Sequence, residues 1–152
     1  MQLSQKYAER ISRLAREIFD AKAVGVSTEK KHRQWCKKVE ESGVFEQIPL
    51  ATLLCDATWE KGILSIPDTS NAESLRDLRL VQECGIRFLA GKPLLDSDGS
   101  RIGIFWIGGR EPTPLSPSRR ELLSDLTELL EGEFKSAELR NWRQNSQLSE
   151  ER

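Results

Sequence analysis

The stretch GIRFLAGKPLLDSDGSRIGIFWIGGREPTPLSPSRRELLSDL, residues 85–126, decides how this chain is read. Ile86 to Leu95 is apolar and suits a strand. Asp98-Gly99 marks a turn, and Arg101 to Ile107 suits a second strand. An Asp-Gly pair between two apolar runs is a strong hairpin signal, because glycine reaches the positive φ that a tight turn needs. Asp96 and Asp98 form a carboxylate pair two apart, and turn chemistry accounts for both. Gly91 and Gly103 lie inside the strands, where glycine usually marks a bulge or a close approach by another group. Gly108-Gly109 ends the second strand. Ser116-Pro117 then opens a helix, with serine as N-cap and proline at the first helical position.

Working outward, the helix after Ser116 carries Leu122, Leu123, Leu126, Leu129, Leu130, Phe134 and Ala137 as one stripe. Helicity is expected through Trp142, with Asn141 to Arg152 a polar tail or helix extension. Upstream, Asn71 to Leu80 suggests a short amphipathic helix. Ile63 to Ile66 reads as a strand stopped by Pro67-Asp68. Leu50 to Leu54 is either a buried strand or a short helix, and His32 to Glu41 is either helix or loop. Ser42-Gly43 and Pro49 are breaks. At the N-terminal end, Leu3, Tyr7, Ile11, Leu14 and Ile18 recur at helical spacing, and a strand follows over Ala23 to Thr28. The order of elements gives an α+β chain, an antiparallel central sheet with helices packed on it.

The bulk numbers agree with one domain of 152 residues. Basic and acidic residues number 23 and 24, for a net charge of −1. Such a balance offers no field for nucleic acid or an anionic membrane. No run approaches the ~18 apolar residues of a spanning helix. Cys36, Cys55 and Cys84 are odd in number and widely spaced. They suit neither a disulfide framework nor a zinc site, and they point to a reducing cytoplasm. His32 is the single histidine, so neither a histidine-rich metal cluster nor a Ser-His-Asp triad is expected.

The 85–126 stretch resembles the second half of a GAF domain. Phe88, Ala90, Gly91, Pro93 and Leu94 stand in register with the family pattern, as do Gly99 and Gly103. So do Arg110, Glu111, Pro112, Leu115 and Ser116. Upstream, ILSIPDTS resembles the family's Val-Pro-Asp strand end, and Arg33-Gln34-Trp35 resembles its Arg-Gln-Trp. Cys55 sits where many relatives have Cys-Ala-His, but here Asp56-Ala57 follows. Trp106 stands where relatives carry small or branched residues. The resemblance runs from about Arg10 to Leu139.

That resemblance implies a GAF-like fold: a sheet of about six antiparallel strands, terminal helices on one face, and a small-molecule pocket on the other. It implies a sensory, non-catalytic bacterial domain, homodimeric through its terminal helices, signalling to a kinase or cyclase output protein. Candidate pocket residues are Trp35, Cys55, Trp59, Asp68, Arg87, Phe88 and Trp106. Candidate dimer-helix residues are Tyr7, Ile11, Leu14, Ile18, Leu126, Leu130 and Phe134. No cofactor and no metal are expected. The alternatives are an enzyme resembling free methionine-(R)-sulfoxide reductases, using Cys55 and Cys84, and a ligand-free dimerisation module. Alternation puts Ile104 and Trp106 on one face of their strand and Phe105 and Ile107 on the other. The face that meets the helices stays open at this point.

Overall fold

A computed structural model describes residues 5–28, 48, 53, 59, 60 and 62–150. Helix α1 spans Gln5–Phe19 and strand β1 spans Ala23–Thr28. Strands β2 (Trp59–Glu60) and β3 (Ile63–Ile66) follow. A 3₁₀ turn at Thr69–Asn71 and a one-turn helix α2 (Arg79–Gln82) lead into β4 (Phe88–Leu95) and β5 (Arg101–Gly109). Helix α3 runs over Pro117–Glu150. The strands form one antiparallel sheet in the order β1-β5-β4-β3-β2. The described residues thus supply five strands where about six were expected, and β2 is only two residues long.

The hairpin is built by its turn. Gly99 has φ +82°, in the left-handed region. Asp96 Oδ1 accepts from the amides of Asp98 and Ser100, both at 2.9 Å, so the carboxylate templates the loop. The register shifts between Leu94 and Leu95, which pair with Gly103 and Arg101 and leave Ile102 unmatched. This bulge turns Ile102 out of strict alternation and into the same core as Phe105.

Both sheet faces are apolar, and they carry separate cores. Helices α1 and α3 cover the first face, where Ile11, Ala15, Phe19, Leu123, Leu126, Leu130 and Phe134 meet Val24, Val26, Phe88, Ala90, Phe105 and Ile107. Tyr7 Oη donates to the carbonyl of Leu129 at 2.6 Å, while Phe19 lies beside Arg119, so α1 and α3 run antiparallel. On the second face, Ile104 and Trp106 pack with Leu64, Ile66, Leu75, Leu80, Ile86 and Leu89, and with Ile48 and Leu53.

One expectation about local structure is corrected. Asn71 to Leu80 is mostly turns, and the α-helix is confined to Arg79–Gln82. Asp68 caps the 3₁₀ turn, and Ala72 N–H bonds back to Thr69 O, so the chain tightens before a longer helix can form. The polar segment after Asn141 continues α3 as a helix to Glu150, one of the two forms expected for it. At 1.5 Å per residue α3 is about 50 Å long, well beyond Ala137, the last apolar residue described as buried along it. Among the described residues no helix is long and apolar enough to cross a membrane.

Candidate functional site

The face opposite the helices is organised around Trp106. Its side chain is 1% exposed. In the ladder Trp106 is paired with Gly25 of β1 on one side and Gly91 of β4 on the other. The indole lies over Gly25, where an added Cβ would come within 2.5 Å of Cζ2. A residue with a side chain at Gly25 would therefore displace the ring. The indole Nε1 is buried and has no acceptor among the described residues. A buried donor without a partner costs roughly 1–3 kcal/mol, so an acceptor reaching it would be strongly favoured.

Beside this face, the segment leaving β3 is tied to the start of β4. Thr69 is buried, with its amide donating to Arg87 O at 2.8 Å and its hydroxyl to Ile86 O at 2.8 Å. Arg87 N–H in turn donates to Gly109 O at 2.7 Å. This backbone chain brings Asp68 and Arg87 together across 19 residues of sequence. Arg87 Nη2 lies 3.2 Å from Asp68 Oδ1 and 3.4 Å from Oδ2. Asp68 Oδ1 also accepts from Ser70 Oγ at 2.7 Å and Ser70 N at 3.0 Å. The Ser70 hydroxyl and amide, and then Arg87, hold the carboxyl below its ordinary value, with partial burial opposing them. Arg87 Nε is buried and has no acceptor among the described residues.

The candidate pocket residues therefore divide. Trp35 and Cys55 lie outside the described residues. Trp59 pairs through its backbone with Leu64 at the β2 edge. Asp68 and Arg87 form an ion pair. Trp106 is on the face away from the helices, whereas Phe88 points to the helix side, against Gly109 and within the first core. Phe88 and Trp106 do not share a pocket, because they stand on opposite sides of the sheet. Cys84 is a free, partly buried thiol beside the second core. Among the described residues no three His, Cys, Asp or Glu side chains converge in the manner of a metal site.

The candidate dimer residues divide as well. Ile11, Leu126, Leu130 and Phe134 are at most 2% exposed and belong to the domain's own core. Tyr7, Leu14 and Ile18 are half-buried along its margin. Among the described residues, the large apolar side chains that α3 leaves exposed are Leu122, Leu129, Leu139 and Trp142. A helical stripe broad enough to cover a sheet spends its centre on that sheet, and only flanking positions stay accessible. The role of Gly25 under Trp106 was missed from sequence, although a glycine inside a short apolar strand was a usable signal.

The GAF domain family matches residues 5–134. No curated protein sequence matches the chain. Among solved structures, one similar fold is a domain described as part of a two-component sensor histidine kinase protein of Sinorhizobium meliloti 1021. Its TM-score is 0.66 at 13% identity, over 95% of this chain and 99% of that one. A GAF3 domain of Synechocystis sp. PCC6803, in its photoproduct state, gives 0.62 at 17% identity, over 93% and 99%. The blue-light absorbing form of the Thermosynechococcus elongatus PixJ GAF domain gives 0.60 at 13% identity, over 93% and 90%. At these identities the likeness speaks for the fold, and the match over residues 5–134 speaks for the family: the chain belongs to the GAF domains.

Proposed function

We propose that this chain is a non-catalytic sensory domain of bacterial signal transduction. It binds a small molecule on the sheet face away from the terminal helices. The observation that carries the reading is the buried Trp106 Nε1, a donor on that face with no acceptor among the described residues. A ligand presenting a carbonyl or carboxylate oxygen to this N–H would relieve the desolvation cost of that buried donor. Trp106 would also supply an aromatic ring of the kind that lines small-ligand sites, once the packing over it opened to admit the ligand.

Occupancy would be relayed through the sheet. β5 carries Trp106 on one face and Phe105 and Ile107 on the other, and those two residues pack in the core shared with α1 and α3. A ligand that favours one packing of β5 would bias the helices, provided it binds the two states with different affinity. In this proposal α3 carries the signal to a kinase or cyclase output, and the domain works as a cytoplasmic homodimer. The three widely spaced cysteines support that compartment. Exposed Leu122, Leu129, Leu139 and Trp142 support a helix-mediated contact.

Native mass spectrometry tests the reading, first under mild conditions and then denaturing. The expected result is a dimer with added small-molecule mass, and loss of that mass in Trp106→Phe at unchanged far-UV circular dichroism. A monomer without added mass from native expression, or turnover of a substrate by the purified chain, would overturn it.

A further inference from the structure

On the helix side of the sheet, away from Trp106, a cavity of about 330 Å³ opens where three distant segments meet. The end of α1 supplies Phe19 and Asp20, the next turn Lys22, the end of β5 Gly109 and Arg110, and the first turn of α3 Arg119. Its volume is at the lower end of the range for small-ligand pockets. The frame is fixed by backbone: Lys22 N–H donates to Gly108 O at 2.8 Å, and Arg87 N–H to Gly109 O at 2.7 Å. Thr113, on the cavity wall, donates its N–H to Pro67 O at 3.0 Å. Asp20 adopts φ +53°, and this left-handed residue ends α1 and turns the chain towards the cavity.

The lining combines charge with an aromatic floor. Lys22 Nζ sits 3.5 Å from Asp20 Oδ1. Among the described residues, no carboxylate is within ion-pair distance of Arg110 or Arg119. Phe19 and Phe88 supply the apolar part, and Phe88 lies against Gly109. The Arg119 backbone amide is already engaged by Ser116 Oγ at 3.3 Å, so the guanidiniums rather than the helix end provide the anion-binding groups.

We infer that this cavity is a second ligand site, independent of the Trp106 face, for a small organic oxyanion: a carboxylate or phosphate joined to an apolar or aromatic body. Two guanidiniums suit a planar or tetrahedral oxyanion, because each offers a fork of N–H donors. The phenylalanines accept the apolar body, and Asp20 and Glu111 stand ready for a hydroxyl or amine on the ligand. The bound anion would touch the end of α1 and the start of α3 together. Binding would then hold these two helix ends in one relative position.

The test is a titration of the isotope-labelled full chain with phenyl phosphate, benzoate and uncharged benzyl alcohol, followed by amide NMR at constant ionic strength. The expected result is saturable shifts at Lys22, Gly109, Arg110, Thr113 and Arg119 with one or both anions and not with benzyl alcohol. The tighter anion identifies phosphate or carboxylate as the preferred group. Arg110→Gln with Arg119→Gln should weaken binding about tenfold or more, since each removes charge-assisted hydrogen bonds. The exposed Arg110→Gln alone serves if the double variant does not fold. Trp106→Phe should leave this binding within about twofold of the parent, which separates the site from the sensory face. No saturable shift up to about 10 mM anion, equal shifts with benzyl alcohol, or unchanged affinity in the arginine variants would overturn the inference.

Discussion

Gly25 and Trp106 are register partners across β1 and β5, and the indole occupies the space that any side chain on Gly25 would need. The pair is a small-to-large fit on the face away from the helices. Gly25→Ala should therefore destabilise the domain by about 1–3 kcal/mol, the usual range for overpacking a close-packed core. Urea unfolding would show a lower midpoint at unchanged slope. Gly132→Ala is the control: it sits exposed within α3 with nothing within 4 Å of its added Cβ. That change should stabilise by roughly 0.5–1 kcal/mol through helix propensity.

The two sides of α3 should respond differently to truncation. Leu126→Ala is expected to cost about 2–5 kcal/mol and Phe134→Ala about 3–5, because both empty a buried site. Leu129→Ala, at 50% exposure, should change the stability of the isolated domain by no more than ~0.5 kcal/mol. If α3 mediates self-association, Leu122→Glu with Leu129→Glu should shift sedimentation towards the monomer while the circular dichroism spectrum holds. An unchanged dimer would place the contact elsewhere.

Asp68 links pH to stability at low pH. Its carboxyl is held below the ordinary 3.8, first by the Ser70 hydroxyl, then by the Ser70 amide, and further by Arg87. A lowered folded-state value means the carboxylate contributes stability above the unfolded value, and loses it as pH falls through the folded one. Asp68→Asn should be less stable than the parent near pH ~6, and the gap should narrow as pH falls below 3.8. Urea midpoints across that interval would measure it; a gap independent of pH would assign the effect to something other than the charge.

Tyr7 gives the opposite dependence at the alkaline end. Burial raises its phenol above 10.0, and Glu133 raises it further against the pull of Arg10. A raised value favours the protonated form in the fold, so its contribution is full below 10.0 and disappears as pH rises through the folded value. The hydroxyl also donates to Leu129 O at 2.6 Å. Tyr7→Phe should cost about 0.5–1.5 kcal/mol at neutral pH and less at a pH well above 10.0. Thermal melts at both pH values would show whether that difference narrows.

Much of the fold was legible because its signals are local. Ala23 to Thr28 emerges as β1 with the expected bounds, and Asp98-Gly99 forms the hairpin turn with Gly99 at positive φ. Ser116-Pro117 starts α3 as its cap chemistry requires. Turn, cap and helix-stripe preferences are set by neighbouring residues, so a sequence states them directly. The GAF pattern, carried by the same turns and glycines, was legible for the same reason.

What only the tertiary structure decided concerns faces and distant neighbours. Residues 102–109 of β5 are all buried, so no alternation of polar and apolar side chains tells which face meets the helices. Packing against α1 and α3 places Phe88 and Phe105 on the helix side and Trp106 opposite, and the bulge after Leu94 moves Ile102 across. The seven dimer candidates followed helical spacing correctly, yet that spacing cannot separate a stripe facing a partner from one facing its own sheet. Lys22, Arg110 and Arg119 come from three separated segments and meet only because β1 pairs with β5 and α1 returns along α3. Local conformational preference was written in the sequence; the choice of covered face and the meeting of remote charges were settled by packing.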